Sequence, residues 1–224
     1  MNFLTVGSLF LLFQLNIDWT SNYIVKLIGF AFFVGGISEL SEICSMKNPV
    51  KTGNEKADKF FSQRISLLSD IKGKAVTMCI MCAIAAVCEG LLKYVLKPAD
   101  FAVNVISLIL GAAVAFLSLN LFRMVYDFIE KHERFSRGNS NSFTDNEANV
   151  VRLGGAFYKL AVITLVNVAF DILNRLVPVA VISNVAGFVV AVSKILLYIF
   201  LLVVVFDFNK IRVDYNKKHD RVIE

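Results

Sequence analysis

VPVAVISNVAGFVVAVSKILLYIFLLVVVF, residues 177–206, decides the class of this protein. Lys194 is its single charge, and the runs 177–192 and 195–206 carry none. A soluble core element alternates or shows a one-sided apolar stripe, whereas this segment is apolar nearly all round. A helix needs about 20 mainly apolar residues to cross a hydrocarbon core of about 30 Å, and this one has them to spare. Lipid offers no hydrogen bonds to backbone N–H and C=O groups, so the spanning form is a helix. The period-2 alternation of a barrel strand is absent.

Working outward, further apolar segments cover about residues 2–19, 23–44, 75–96, 101–126 and 153–176, with the last running from 179 to 208. The whole chain of 224 residues is 57% hydrophobic and 18% charged, with a mean hydropathy of +0.66. A soluble domain is closer to half apolar and a quarter charged. The links after the first, third and fifth segments are short, and the others are long and charged. This alternation predicts an all-α, polytopic transmembrane bundle of six spans arranged as three helical hairpins.

The expected organisation is a first hairpin over 1–44, a basic loop over 45–74, and a second hairpin over 75–126. A polar linker over 127–152, a third hairpin over 153–208 and a basic tail over 209–224 follow. Lys51, Lys59, Arg64 and Lys72 mark the first loop, Lys131, Arg134 and Arg137 the linker, and Lys210, Arg212 and Arg221 the tail. The opposite turns hold Lys93, Lys97 and Arg175. Basic loops face the cytoplasm, so both termini are expected there. The same rule accounts for the net charge of +5, and no basic–aromatic pattern points to nucleic acid. The start has no basic region and no small-x-small site of a cleavable signal.

Within the first loop, Phe61, Ile65 and Leu68 recur at helical spacing over residues 55–71. That segment is either an interfacial amphipathic helix or a short helix packed on the bundle. SRGNSNSFTDNEAN, residues 136–149, has the composition of a flexible linker. Offsetting the chain by 80 residues gives eight identities between 98–128 and 178–208, among them Pro98/Pro178, Asn104/Asn184 and Asp127-Phe128/Asp207-Phe208. The second and third hairpins are either parallel repeats or two apolar hairpins alike by chance.

A charge at the centre of a membrane helix costs about 2.5–3.5 kcal/mol on insertion scales, so Lys194 demands an explanation. It shares a helix face with Asn184, Gly187, Ala191 and Tyr198, and the small pair favours close helix approach. Lys194 is therefore expected to face the bundle interior. Thr164, Asn167, Asp171 and Asn174 form one polar stripe on the preceding helix. Glu89 and Lys93 repeat the i, i+4 arrangement of Asp171 and Arg175. One reading is a transport or ligand-binding site for a small solute or ion. It comprises Lys194, Asp171, Asn167, Asn184 and Glu89, with Lys194 as fixed cation and Asp171 as counter-ion or proton carrier. The other reading is a non-catalytic structural or regulatory membrane subunit. Its polar residues only join helices, and its cytoplasmic loops contact other proteins, the partner being another protein or a second copy.

Asp127 and Asp207 are expected as solvated helix ends, and Lys26 and Lys159 as snorkelling side chains. Cys79 and Cys82 form a CxxC inside an apolar helix, without a second pair, and both histidines, His132 and His219, fall outside the spans. Reduced, buried thiols are expected, with no metal, cofactor or catalytic residue. The opening MNFLTVGSLFLLFQLNID (1–18), followed by IVKLIGFAFFVGGISELSE (24–42) with its run Gly36-Ile37-Ser38-Glu39-Leu40, resembles small polytopic membrane proteins of low-GC Gram-positive bacteria. The resemblance covers about the first 45 residues, and the chain departs from that group in lacking a proline in the first turn. It implies a multi-pass protein of the bacterial cytoplasmic membrane and carries no activity.

Overall fold

A computed structural model describes residues 19–46, 54–96, 100–136, 147–177 and 180–223. These form five α-helices: α1 (Trp19–Met46), α2 (Glu55–Gly90), α3 (Asp100–Ser136), α4 (Glu147–Leu176) and α5 (Ala180–Ile223). A π-helical turn, Leu91–Leu96, continues α2. All five helices are long and apolar enough to cross a membrane, with mean hydropathy from 1.6 to 2.8 over their apolar windows. The first apolar segment, the proposed sixth span, lies outside the described residues apart from Trp19.

Successive helices run antiparallel. Lys26, early in α1, lies near Glu89, late in α2. Phe60, early in α2, meets Phe128 and Phe135, late in α3. The pairs α1–α2 and α4–α5 pack most extensively, and α3 joins them by packing on α2 and α4.

Each helix buries one narrow seam. In α1 the seam is Tyr23, Phe30, Phe33, Ile37, Leu40 and Cys44, and half-buried Lys26 occupies the missing step. In α2 it is Ala57, Phe61, Arg64, Leu68, Ile71, Ala75, Met78, Cys82, Ala85 and Glu89. Steps of three and four alternate throughout, which is the 3.5-residue period of coiled-coil packing.

The seam explains where the helices begin and end. Asn54 caps α2, its side chain accepting from the backbone N–H groups of Lys56 at 3.0 Å and Ala57 at 3.4 Å. From there α2 runs without interruption into the third apolar segment. Residues 55–71 are thus neither a separate interfacial helix nor a separate short one. Arg64 takes the seam position and Ile65 is exposed. At 1.5 Å per residue, α2 is about 54 Å long and α5 about 66 Å, against a hydrocarbon core of about 30 Å. The linker after α3 and the basic tail are likewise helical up to Ser136 and from Glu147, and as far as Ile223. Residues 137–146, the centre of the Ser/Asn-rich segment, lie outside the described residues.

Packing is densest toward the basic ends of the helices. Phe33 meets Phe122 at 5.4 Å between ring centres, Phe122 meets Phe157 at 5.7 Å, and Phe157 meets Phe208 at 6.2 Å. This chain of rings links α1, α3, α4 and α5. Beside it, Gly154 passes so close to Tyr126 that a Cβ there would collide with the phenol ring. Gly155 faces open space. Toward the opposite ends the helices are loosely covered. Each apolar window buries only 17% to 33% of its residues, leaving most of its surface to lipid or a partner.

Phe157 stands between Phe122, Tyr126 and Phe208. Phe157→Ala is expected to destabilise the fold by about 3–5 kcal/mol. Thermal unfolding in detergent, followed by circular dichroism, should show a clear drop in midpoint, whereas Val181→Ala, on an exposed position, should show almost none.

Candidate functional site

Three polar groupings lie in the seams. The first joins α4 to α5. Asn167 Nδ2 donates to Ser193 Oγ at 2.6 Å and to the Val190 carbonyl at 3.3 Å. Ser193 Oγ also donates to the Val190 carbonyl at 2.9 Å. Nearer the hairpin turn, Ser183 Oγ donates to Asn174 Oδ1 at 2.8 Å. Thr164, Asn167, Asp171 and Asn174 continue the α4 seam of Val150, Leu153, Phe157 and Leu160 in the same alternating steps. On α5, Ser183, Ala186, Val190, Ser193, Leu197 and Val204 answer it.

This phase corrects the expectation for Lys194. Ser193 occupies the seam, and one residue of helix turns the next side chain by about 100°, so Lys194 is exposed. It makes no hydrogen bond or ion pair among the described residues. Asn184 is exposed as well, on the same outward face as Ala191 and Tyr198. Of the five predicted site residues, Asn167 and Asp171 share the α4 seam, and Glu89 is buried in α2, which packs on α1 and α3. Lys194 and Asn184 point away from both. The side chains of Lys93 and Arg175, needed for the two i, i+4 pairs, lie outside the described residues.

The second grouping lies between α1 and α2. Glu89 is buried, and Lys26 is close enough to interact electrostatically with it and with the fully buried Cys82. Lys26 Nζ also stands 5.4 Å from the centre of the Tyr23 ring. The Tyr23 hydroxyl reaches Gly111 of α3, lying 3.7 Å from where a Cβ would stand. Lys26, expected to snorkel, is instead the seam neighbour of Glu89, while exposed Lys159 lies 5.3 Å from the Phe200 ring centre. The π-helical turn begins two residues after Glu89, and such turns recur at functional sites. The cysteines are free thiols, with Cys44 and Cys82 buried and Cys79 and Cys88 half-buried.

The third grouping is at the basic end. Arg152 Nε donates to both carboxylate oxygens of Asp207, at 2.7 Å and 3.0 Å, and Nη2 also contacts Oδ1. Asp207 is fully buried, against its expectation as a solvated helix end. Asp127, its counterpart in the 80-residue offset, is half-exposed and 3.9 Å from Arg123. Near the same ends of α2 and α3, His132 is buried among Phe60, Phe61 and Phe128, with Nδ1 3.5 Å from Ser136 Oγ. The Arg64 guanidinium lies 5.8 Å from the centre of the Phe61 ring.

Sequence reasoning missed Arg152, Asp207, Lys26 and His132 as a set. Arg152 and Asp207 are 55 residues apart, and each alone resembles an ordinary charged helix end. Among the described residues no three His, Cys, Asp or Glu side chains come together as a metal site. No family model matches the chain, and no curated protein or solved structure is significantly similar to it.

The ion pair is lopsided, with the Arg152 side chain 48% exposed and that of Asp207 1% exposed. Arg152→Ala strands a buried carboxylate and is expected to cost about 3–5 kcal/mol. Asp207→Asn leaves an arginine that can turn to water and should cost clearly less. Chemical or thermal unfolding of the two variants side by side checks this order.

Proposed function

We propose that this chain is a non-catalytic membrane subunit, held in a bacterial cytoplasmic membrane with its basic end inside. In this reading it assembles side by side with another membrane protein through the outer face of the α4–α5 hairpin. The observation that supports the reading is Lys194, an exposed lysine in the middle of the most apolar helix. It lies about 21 Å along α5 from Ala180 and about 20 Å from Asp207, much further than a lysine side chain can reach. Lipid would leave that charge uncompensated at a cost of a few kcal/mol, and a neighbouring chain removes the cost. Exposed Asn184 on the same face adds a second polar group that hydrocarbon does not satisfy. The basic end, with the long ends of α2, α3 and α5, offers further contact area outside the membrane.

A second reading, ion or small-solute handling within the bundle, is favoured by the Lys26–Glu89 neighbourhood beside the π-helical turn. It expects Glu89→Gln, reconstituted in vesicles, to abolish a proton or monovalent-cation flux that the unaltered protein supports. The subunit reading expects neither protein to conduct.

The subunit reading is tested on the full-length protein taken from its own membranes in mild detergent. It should migrate as a complex larger than one chain. Lys194→Met should return it to single chains with its helix content and thermal midpoint unchanged. A complex that survives Lys194→Met intact would count against it.

A further inference from the structure

The α4–α5 hairpin brings a positive charge into the apolar layer and supplies nothing at that level to meet it. The hydrogen bonds Asn174–Ser183 and Asn167–Ser193 fix the register of the two helices. In that register Asp171 is level with about residues 186–189 of α5, so Lys194 lies about 10 Å further along the axis. Glu89 is buried on the α2 seam. The next acid along α5, Asp207, is bound by Arg152.

The surface around Lys194 has the form of an unused seam. Asn184, Ala191, Lys194 and Tyr198 are exposed and recur at steps of seven, three and four. The same spacing serves every seam that the helices use on one another, and it is the spacing that a helix recognises. Exposed Ala191 is small enough to let a backbone come close beside the lysine, while Gly187 turns toward Asn174 of α4. Phe188 and Ile195 flank the stripe and are exposed.

Building on the subunit reading above, we propose that this face docks a transmembrane helix of a different protein, and that this helix presents an Asp or Glu carboxylate level with Lys194. A second copy does not fit the requirement. All copies share one orientation in a bilayer, so a partner copy's Asp171 keeps the same axial offset of about 10 Å. That Asp171 is half-buried in the α4–α5 seam of its own copy and does not face outward toward a neighbour. Asp171 also has an interaction of its own within the chain. A lipid phosphate lies at the bilayer surface, away from the level of the lysine.

The test uses the full-length protein in phosphatidylcholine vesicles with leucine–alanine helices of about 23 residues, carrying Asp, Asn or Leu at the level of Lys194. Association is read by energy transfer between labels. The Asp helix is expected to bind about tenfold more tightly than the Leu helix, with the Asn helix between them. Lys194→Met should erase that preference and Lys194→Arg should keep it. Equal binding of all three helices would overturn the carboxylate requirement, and so would binding by none. In either case a native complex that still depends on Lys194 would leave the subunit reading standing. Lys194-dependent association of the protein with itself would overturn the assignment to a different protein. Loss of the native complex's dependence on Lys194 would remove the subunit reading.

Discussion

Every helix here buries a narrow seam, one or two residues wide. Inside a bilayer the lipid chains are as apolar as leucine, so helices gain little by hiding apolar surface from them. What holds them together is close packing along a line and the few polar contacts that line encloses. A 3.5-residue spacing keeps the line facing the same neighbour over the length of α2, from Ala57 to Glu89. The consequence is a sharp distinction between adjacent residues. Ser193 is buried and bonded, and Lys194 is exposed. Arg64 is buried over a phenylalanine ring, and Ile65 faces outward.

Stability is distributed unevenly along that seam. The aromatic chain Phe33–Phe122–Phe157–Phe208 crosses four helices toward the basic end, and the cluster around Phe60 and His132 extends it. Beyond the apolar length, where water returns, burial of phenylalanine again yields hydrophobic free energy. The large core residues there have both packing and water exclusion in their favour. The opposite half relies on Asn, Ser and the Lys26–Glu89 neighbourhood, contacts that position helices without excluding much surface. A bundle so built is firm at one end and loosely covered along the rest.

The five described spans were legible because composition alone sets them: long charge-free runs such as 195–206 have one physical solution. Their pairing was less legible, since α2 packs more extensively on α1 than on α3, its expected hairpin partner. The polar stripe Thr164–Asn174 was legible for a different reason, since polar residues in an apolar helix mark its phase, and the Asn167–Ser193 bond lies where the stripe points. The phase of α5 was not legible. When every face is apolar, periodicity carries no signal, and the cost of a charge in lipid says that Lys194 needs a partner without saying on which side of the helix it lies. The start of α2 was hidden by its charges. By hydropathy Glu55 to Lys74 reads as a loop holding a separate helix over 55–71, whereas the cap at Asn54 and the step from Phe61 through Arg64 to Leu68 belong to one helix that runs on to Gly90. Arg152 with Asp207 needed the third dimension, because nothing local to either residue names the other.

Polar groups inside such seams do more than add contacts. In an apolar seam a slip of one heptad costs little, because leucine replaces valine or phenylalanine with modest change in packing. A slip that separates Asn167 from Ser193, or Arg152 from Asp207, leaves a donor or a buried carboxylate without its partner. The penalty is then that of an unmet polar group in a low dielectric. Polar seam residues thus fix register, as a single asparagine does in coiled coils. The outward face of α5 is under the same constraint. Asn184 and Lys194 sit on a stripe with the same spacing, and the same penalty applies to them until something with matching polarity lies alongside. A face that is costly alone and cheap in company selects its neighbour by depth and charge, which apolar packing by itself does not do.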